Sequence, residues 1–131
     1  MSGRGRGISA VMASAATLAA VSAAHAQAAS QPALATAGAA TFQTGVGCAN
    51  CHFAGSTDAP PLEGVAGRNI ASVKGFLYSA ALKAKPGNWT DANLDAFLAD
   101  PQGFAPGVGM DAAVQDPAQR RELIAYLKTL K

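Results

Sequence analysis

Residues 48–52 have the sequence Cys-Ala-Asn-Cys-His, and this stretch decides how the rest of the chain is interpreted. Two residues separate the thiols, so one helical turn brings both to the same side of the backbone, and a histidine follows at once. Two thiols at this spacing can add to the two vinyl groups along one edge of a porphyrin, while the next residue places an imidazole beneath its iron. We therefore predict one covalent haem c, bonded to Cys48 and Cys51, with His52 as an iron ligand.

Other chemistries of this motif fit the sequence less well. A closed zinc site needs four protein ligands, and after residue 26 the chain has only two Cys and one His. A redox dithiol of the thioredoxin type is expected near a βαβ pattern, which is missing. A disulfide between these cysteines would close a very short loop and would constrain little of the unfolded chain.

The N-terminal segment has the composition of a secretory signal peptide. Arg4 and Arg6 precede an Ala-rich apolar run at 8–20, and Ala-His-Ala follows at 24–26. This order of basic, apolar and small residues predicts export, with cleavage after Ala26. An uncleaved membrane anchor is the alternative, although a run so rich in Ala and poor in Leu spans a bilayer weakly.

Removal of residues 1–26 would leave one domain, residues 27–131. Half of the whole chain (50%) is hydrophobic, which is too apolar for a disordered polar segment. Loss of Arg4 and Arg6 would also balance the basic and acidic residues, so a nucleic-acid-binding role has no electrostatic basis. We expect a periplasmic monomer of bacterial origin that binds no nucleic acid and has no stable membrane insertion.

The pattern of caps and turns predicts an all-α domain with long loops. Apolar stripes and capping residues favour helices near 37–44, over 72–83 with Ser72 as cap, from Thr90 to Asp100, and after Asp116. Glycines and prolines exclude long helices from 52–68 and 101–115. Loops of this length need an organiser in a small domain, and a central haem would supply one.

The choice of the second iron ligand is narrowed by elimination. Cleavage of the signal peptide would remove Met1, Met12 and His25, which leaves His52 and Met110 as the only residues of their types. A lone methionine is often a core gap-filler, but beside a haem motif it is a candidate ligand. His/Met ligation raises the haem potential and leaves no open position for oxygen or peroxide, so it favours electron transfer over enzymatic catalysis.

Residues 38–128 resemble the mitochondrial-type (class I) single-haem cytochrome c family and, by their short segment before Pro60, its small bacterial members. The resemblance lies in Gly38 and Phe42 before the motif, in 60–68 after it, and in 123–128. It implies four or so short helices and long loops wrapped around the haem, with Gly38 admitting Tyr126 where the terminal helices cross. It also implies that the Pro60 carbonyl orients His52, and that four residues surround the haem propionates: Arg68, Tyr78, Ser79 and Trp89.

Two positions depart from the family. Phe97 stands where the family commonly has a tyrosine near the methionine sulfur, and Leu82 where it commonly has an asparagine. Apolar contacts would thus replace part of a buried polar network.

The resemblance implies a one-electron carrier between periplasmic or membrane redox partners, such as an oxidase, a dehydrogenase, a reaction centre or a cytochrome complex. The alternative is a haem c subunit bound permanently in an oxidoreductase complex. A gas-binding or peroxidatic haem protein would need an absent or weak Met110 bond to iron. Phe53 and Val108 are candidates for the apolar rim of the exposed haem edge, together with Gly47 and Gly109.

Overall fold

The computed structural model describes residues 29–131, so the predicted signal peptide and its cleavage site lie outside the described residues. Five α-helices follow one another: α1 Gln31–Ala40, α2 Ala80–Lys83, α3 Asp91–Ala99, α4 Pro101–Phe104 and α5 Pro117–Leu127. A short π-helical segment, Thr41–Gly45, continues from α1, and a 3-10 helix covers Cys48–Asn50. Within the described residues the only β-type pairing is an isolated bridge between Asn69 and Asn88. The predicted all-α class is confirmed.

Helix α1 begins earlier than the sequence pattern indicated. The sequence predicts a helix only near 37–44, yet the Ser30 hydroxyl accepts a hydrogen bond from Ala33 N and Pro32 lies in the first turn. Proline is tolerated there because the first N–H groups of a helix have no intrahelical partner. The alanines that follow have the highest helix propensity of all residues, so they form a helix without a clear apolar stripe.

Helices α1 and α5 cross closely at Gly38. A Cβ added to Gly38 would overlap the Glu122 carbonyl oxygen and would lie 2.9 Å from Tyr126 Cβ. The Phe42 and Tyr126 rings pack beside the crossing with centroids 5.3 Å apart. The expected contact of Gly38 with Tyr126 is therefore confirmed, and it joins the two ends of the described chain.

Helices α3 and α5 begin where their caps were predicted. Thr90 Oγ1 accepts a hydrogen bond from Asn93 N at 3.1 Å, and an Asp116 carboxylate oxygen accepts one from Ala118 N at 2.8 Å. Capping of this kind satisfies N–H groups that the helix itself leaves unpaired. Leucines of both helices form the centre of the core, where Leu123 is 1% exposed.

The helix predicted over 72–83 is wrong in its first two-thirds. Only Ala80–Lys83 is helical, and its cap is Ser79, whose hydroxyl accepts from Leu82 N at 3.2 Å. Gly75 has a φ of 81°, in the left-handed region that a right-handed helix cannot include. Ser72 instead donates its hydroxyl to the Asn69 carbonyl.

The two glycine- and proline-rich segments, 52–68 and 101–115, are almost entirely loops. The second of them contains the short helix α4, which the sequence did not predict; its cap, Asp100, accepts a hydrogen bond from Gly103 N at 2.8 Å. Across residues 29–131, no helix has both the length and the apolar character needed to span a bilayer.

Candidate functional site

The Cys-x-x-Cys-His motif is wound into a tight turn by its own backbone. Gly47 precedes it with a φ of 70°, in the left-handed region. The amides of Cys51 and His52 both donate to the Cys48 carbonyl, at 3.2 and 2.9 Å. No disulfide joins the two cysteines, and Cys48 is half-buried while Cys51 is exposed. One turn of chain thus presents two thiols and an imidazole, as covalent attachment of a haem requires.

The two thiols have different surroundings. Burial raises the pKa of the Cys48 thiol, a backbone hydrogen bond at Cys48 opposes this rise, and the charge of Cys51 adds to it. A thiol with a raised pKa stays protonated at neutral pH, so it places no charge beside the core. This ionisation disappears once the sulfur is part of a thioether.

The tautomer of His52 follows from its hydrogen bond. His52 Nδ1 lies 2.8 Å from the Pro60 carbonyl oxygen. A carbonyl can only accept, so Nδ1 carries the proton and the Nε2 lone pair is left for a metal. Burial lowers the pKa of His52, and the bond to Pro60 opposes this in part. The imidazole is therefore held neutral and in one orientation.

The imidazole also borders an apolar cavity of about 330 Å³ beside the motif. Phe42, Leu62 and Tyr126 contribute to its lining, as does Phe53. Phe53 is 55% exposed, one of two large hydrophobic side chains that are strongly exposed in the described part of the chain. This exposure agrees with its expected place on an apolar rim.

Met110 lies in the loop that follows α4. Its side chain is half-buried and packs against the same buried cluster that Cys48 and Ala49 contact. The side chain of Gln102 in α4 contacts this loop at four groups. They are the Gly107 N–H, the Val108 and Met110 carbonyls and the Asp111 carboxylate. Sequence reasoning missed Gln102, because a hydrogen bond across a turn-rich segment has no periodic pattern.

Arg68 has one donor without a partner. Its Nη1 donates to the Glu63 carbonyl at 2.9 Å and its Nη2 to the Pro61 carbonyl at 3.0 Å. Its Nε is buried and has no hydrogen-bond partner among the described residues. A buried, unpaired donor on a charged group is costly, so an anionic group fits here. A haem propionate has the required charge.

The other predicted propionate residues also have donors to offer. The Tyr78 hydroxyl accepts from Val73 N at 3.3 Å and the Ser79 hydroxyl accepts from Leu82 N, so each O–H remains able to donate. Trp89 is 8% exposed and lies against Phe97 and Phe104, with ring centroids 5.1 and 5.8 Å away. The residues present therefore fit a group with carboxylates.

The two departures from the family pattern lie in apolar surroundings. Leu82 is 4% exposed, and Phe97 packs edge-on against Phe104 with centroids 5.6 Å apart. Within residues 29–131 no polar or charged residue is fully buried. Leu82 and Phe97 thus make apolar contacts at the two positions where the family commonly has polar side chains.

Arg120 is a second residue that anchors a loop and that sequence reasoning missed. Its Nη1 donates to the carbonyls of Val114 and Gln115, both at 2.9 Å. Its Nε donates to the Asp95 carboxylate at 2.7 Å, which ties α5 to α3. The only signal was an arginine in the first turns of a predicted helix, and that does not reveal its partners.

A family model described as Cytochrome c matches residues 35–131. The chain is 43% identical over 86 residues to the cytochrome c-type cyt cy of Rhodobacter capsulatus, a match that covers 63% of this chain but only 43% of that protein. It is 40% identical over 86 residues to the cytochrome c of Nigella damascena, covering 62% of this chain and 78% of the relative.

A solved structure gives the same result for the fold. The cytochrome cH from Methylobacterium extorquens is similar with a TM-score of 0.65 and 37% sequence identity, over 72% of this chain and 97% of that one. Taken with the match of the family model, this similarity shows that the chain belongs to the class I single-haem cytochrome c family of electron carriers and holds its haem c covalently through Cys48 and Cys51.

Proposed function

We propose that this protein is a periplasmic one-electron carrier whose haem iron is held by His52 Nε2 and Met110 Sδ. The haem supplies the redox couple, an iron that accepts and gives up one electron. The residues of the chain fix the ligands, pair the propionates and keep other ligands away. The observation that carries the proposal is the hydrogen bond from His52 Nδ1 to the Pro60 carbonyl.

That hydrogen bond supports ligation by His52 in two ways. It selects the tautomer with a free Nε2 lone pair, and it holds the ring at a fixed angle to the motif. A carbonyl acceptor also makes the imidazole a better electron donor to iron. Since His52 follows Cys51 directly, the covalent attachment of the haem and its ligation depend on the same turn of chain.

Ligation by Met110 is supported by its position and by the absence of rivals in the sequence. Met110 is the one methionine between residues 29 and 131, and its side chain packs on the cluster that Cys48 also contacts. A thioether ligand stabilises the reduced iron and so raises the potential. If the chain supplies both ligands, electron transfer would be favoured over reaction of the iron with small molecules.

The propionates are expected to lie against Arg68, Tyr78, Ser79 and Trp89. The unpaired Nε of Arg68 supports this most directly, because it is a buried donor in need of an acceptor. A charged donor paired with a carboxylate forms a stronger hydrogen bond than two neutral groups do. These contacts would also neutralise part of the charge that the haem adds to the domain.

The absorption spectrum tests the ligand set. The purified oxidised protein should show the weak long-wavelength band associated with a methionine–iron bond, and Met110→Ala should abolish it, because Met110 is the proposed source of the sulfur. Val114→Ala is the matched control: it shortens a buried side chain four residues after Met110 but leaves the sulfur in place, so the band should persist. A band that survives in Met110→Ala would overturn the assignment.

The proposed location rests on the N-terminal sequence. Cleavage after Ala26 and release into the periplasm would be tested on protein from its own cells, by the mass of the mature chain and by fractionation.

Size-exclusion chromatography of the same material distinguishes a free electron shuttle from a haem subunit bound permanently in a complex. Elution as a small protein supports a free shuttle, whereas elution only with a large enzyme would indicate a permanently bound haem subunit.

A further inference from the structure

The side chain of Gln102 connects α4 to the loop that carries Met110. Its Nε2 donates to the Val108 carbonyl at 2.7 Å and lies 3.4 Å from the Met110 carbonyl and 3.3 Å from an Asp111 carboxylate oxygen. Its Oε1 accepts from Gly107 N at 3.1 Å. One amide group therefore contacts the chain on both sides of Met110.

The loop has few other constraints of its own. We call residues 105–114 the methionine loop. Within the described structure it has one internal backbone–backbone hydrogen bond, from Val108 N to the Ala105 carbonyl, and the next tie is from Val114 N to the Leu98 carbonyl. Backbone that lacks internal hydrogen bonds opens easily, so an external tie determines how often this loop departs from its folded form.

Helix α4, which carries Gln102, is held in place by its neighbours. Pro101 beside it is buried, and the Asp100 carboxylate caps the same turn through Gly103 N. Phe104, at the end of α4, packs against Trp89 and Phe97. An amide on a turn held at both ends can position a loop, whereas an amide on a mobile segment would move with it.

We infer that Gln102 is a positioning residue for Met110: its amide holds the methionine loop in the conformation that keeps the thioether at the iron. The inference rests on the ligation of the haem by Met110 proposed above. Gln102 itself does not touch the haem in this role; it acts through the backbone of residues 107–111.

The role needs an amide rather than any polar group. The Gly107 N–H donates to the amide oxygen, while the Val108 and Met110 carbonyls face the amide nitrogen. An amide has an acceptor oxygen and two N–H donors on separate atoms, whereas a hydroxyl has a single donor on the atom that also accepts. A glutamate could still accept from Gly107, but it would lose the donors and would place a second carboxylate beside Asp111. Gln102→Glu therefore separates this role from simple filling of space.

Competition by imidazole for the ferric iron measures the effect. Imidazole binds only when Met110 has left, so its apparent affinity reports the population of the open loop. Because these are exposed, neutral hydrogen bonds of modest net strength, Gln102→Ala should raise that affinity by about five- to tenfold. Gln102→Glu should raise it by at least as much.

Gln115→Ala is the matched control. Gln115 is also an exposed glutamine near this loop, and its amide donates one bond, to the Ala99 carbonyl at 3.4 Å. Its removal should leave imidazole affinity within about twofold of the unmodified protein, since one long, exposed bond contributes little. If both Gln102 variants match Gln115→Ala, the positioning role is wrong.

The experiment also separates this inference from the ligation on which it rests. If the unmodified protein lacks a long-wavelength band that depends on Met110, the ligation is wrong and the role of Gln102 falls with it. If the band is present and depends on Met110 but the Gln102 variants bind imidazole as the unmodified protein does, only the positioning role is overturned.

Discussion

The loop that carries His52 and the loop that carries Met110 are held in different ways. We call residues 52–68 the histidine loop. Two of its backbone carbonyls accept hydrogen bonds from the charged guanidinium of Arg68. In the centre of the methionine loop, the Gly107 N–H and the Val108 carbonyl are instead paired with the neutral amide of Gln102. Hydrogen bonds from charged groups stabilise a fold by about 1.5–3 kcal/mol and neutral ones by about 0.5–1.5 kcal/mol.

This difference indicates which of the two proposed ligands would leave the iron first. The histidine follows a cysteine that is bonded to the haem, so it stays close to the iron even when its loop fluctuates. Met110 has no covalent tie, and its loop is exposed around Gly107 and Gly109. The methionine side should open at a lower free energy than the histidine side, as expected where few buried contacts hold a segment.

The largest effect is expected at Arg120, which holds the C-terminal end of the methionine loop. Arg120→Ala removes the bonds to the Val114 and Gln115 carbonyls and the ion pair with Asp95. Because the Arg120 side chain is only 13% exposed, we expect the free energy of unfolding to fall by about 3 kcal/mol. Guanidinium denaturation of the holoprotein measures this loss.

Lys128→Ala is the control for Arg120→Ala. It breaks an ion pair with Asp91 whose two side chains are both exposed, and such pairs contribute about 0.5 kcal/mol or less. If both variants lose the same free energy of unfolding, the burial of Arg120 does not make it a stronger anchor than the exposed Lys128. The easily opened part of the methionine loop would then extend beyond residues 107–111.

A somewhat smaller effect is expected at Arg68 in the histidine loop. Arg68→Ala removes two hydrogen bonds to carbonyls, and with them the proposed partner of a propionate, so the free energy of unfolding should fall by about 2 kcal/mol. Arg68→Lys keeps the charge but not the planar set of donors, and it should recover only part of the loss. Denaturation curves that place Arg68→Ala within error of the unmodified protein would contradict the view that Arg68 anchors this loop.

The smallest effect is expected just after the histidine loop, at Ala71. Its φ is 55°, which is unfavourable for any residue with a Cβ. Ala71→Gly removes this strain but makes the unfolded chain more flexible, so the net change should be a stabilisation of about 0.5 kcal/mol. Ala39→Gly, inside α1, should instead destabilise by about 1 kcal/mol. A thermal melt in which both variants shift in the same direction would refute the assigned strain.

The sequence predicts those parts of the molecule that depend on neighbouring residues. The motif at 48–52 and the caps Thr90 and Asp116 each act within one helical turn, and the structure has all of these local features. The start of the predicted helix at 72–83 was misplaced because Gly75 can adopt either hand of backbone. No local signal distinguishes the two possibilities before the chain is folded.

Contacts across the loops are the part that the sequence does not reveal. Gln102 and Arg120 are ordinary surface residue types, and their roles arise from carbonyls that the folded loops turn toward them. The Pro60 contact with His52 was predicted only through resemblance to a family. Reasoning from spacing alone would not have paired a proline carbonyl with an imidazole eight residues earlier.

The close crossing at Gly38 also affects the conformational entropy of the chain between α1 and α5. It joins the first helix of the described chain to the last, so the histidine loop and the methionine loop both lie within one large closed ring of backbone. The entropy cost of closing a ring rises only slowly with its length. Once this ring is closed, each loop inside it has fewer conformations to lose when it orders around the haem. A glycine that touches neither ligand thus lowers the entropic cost of ordering both loops.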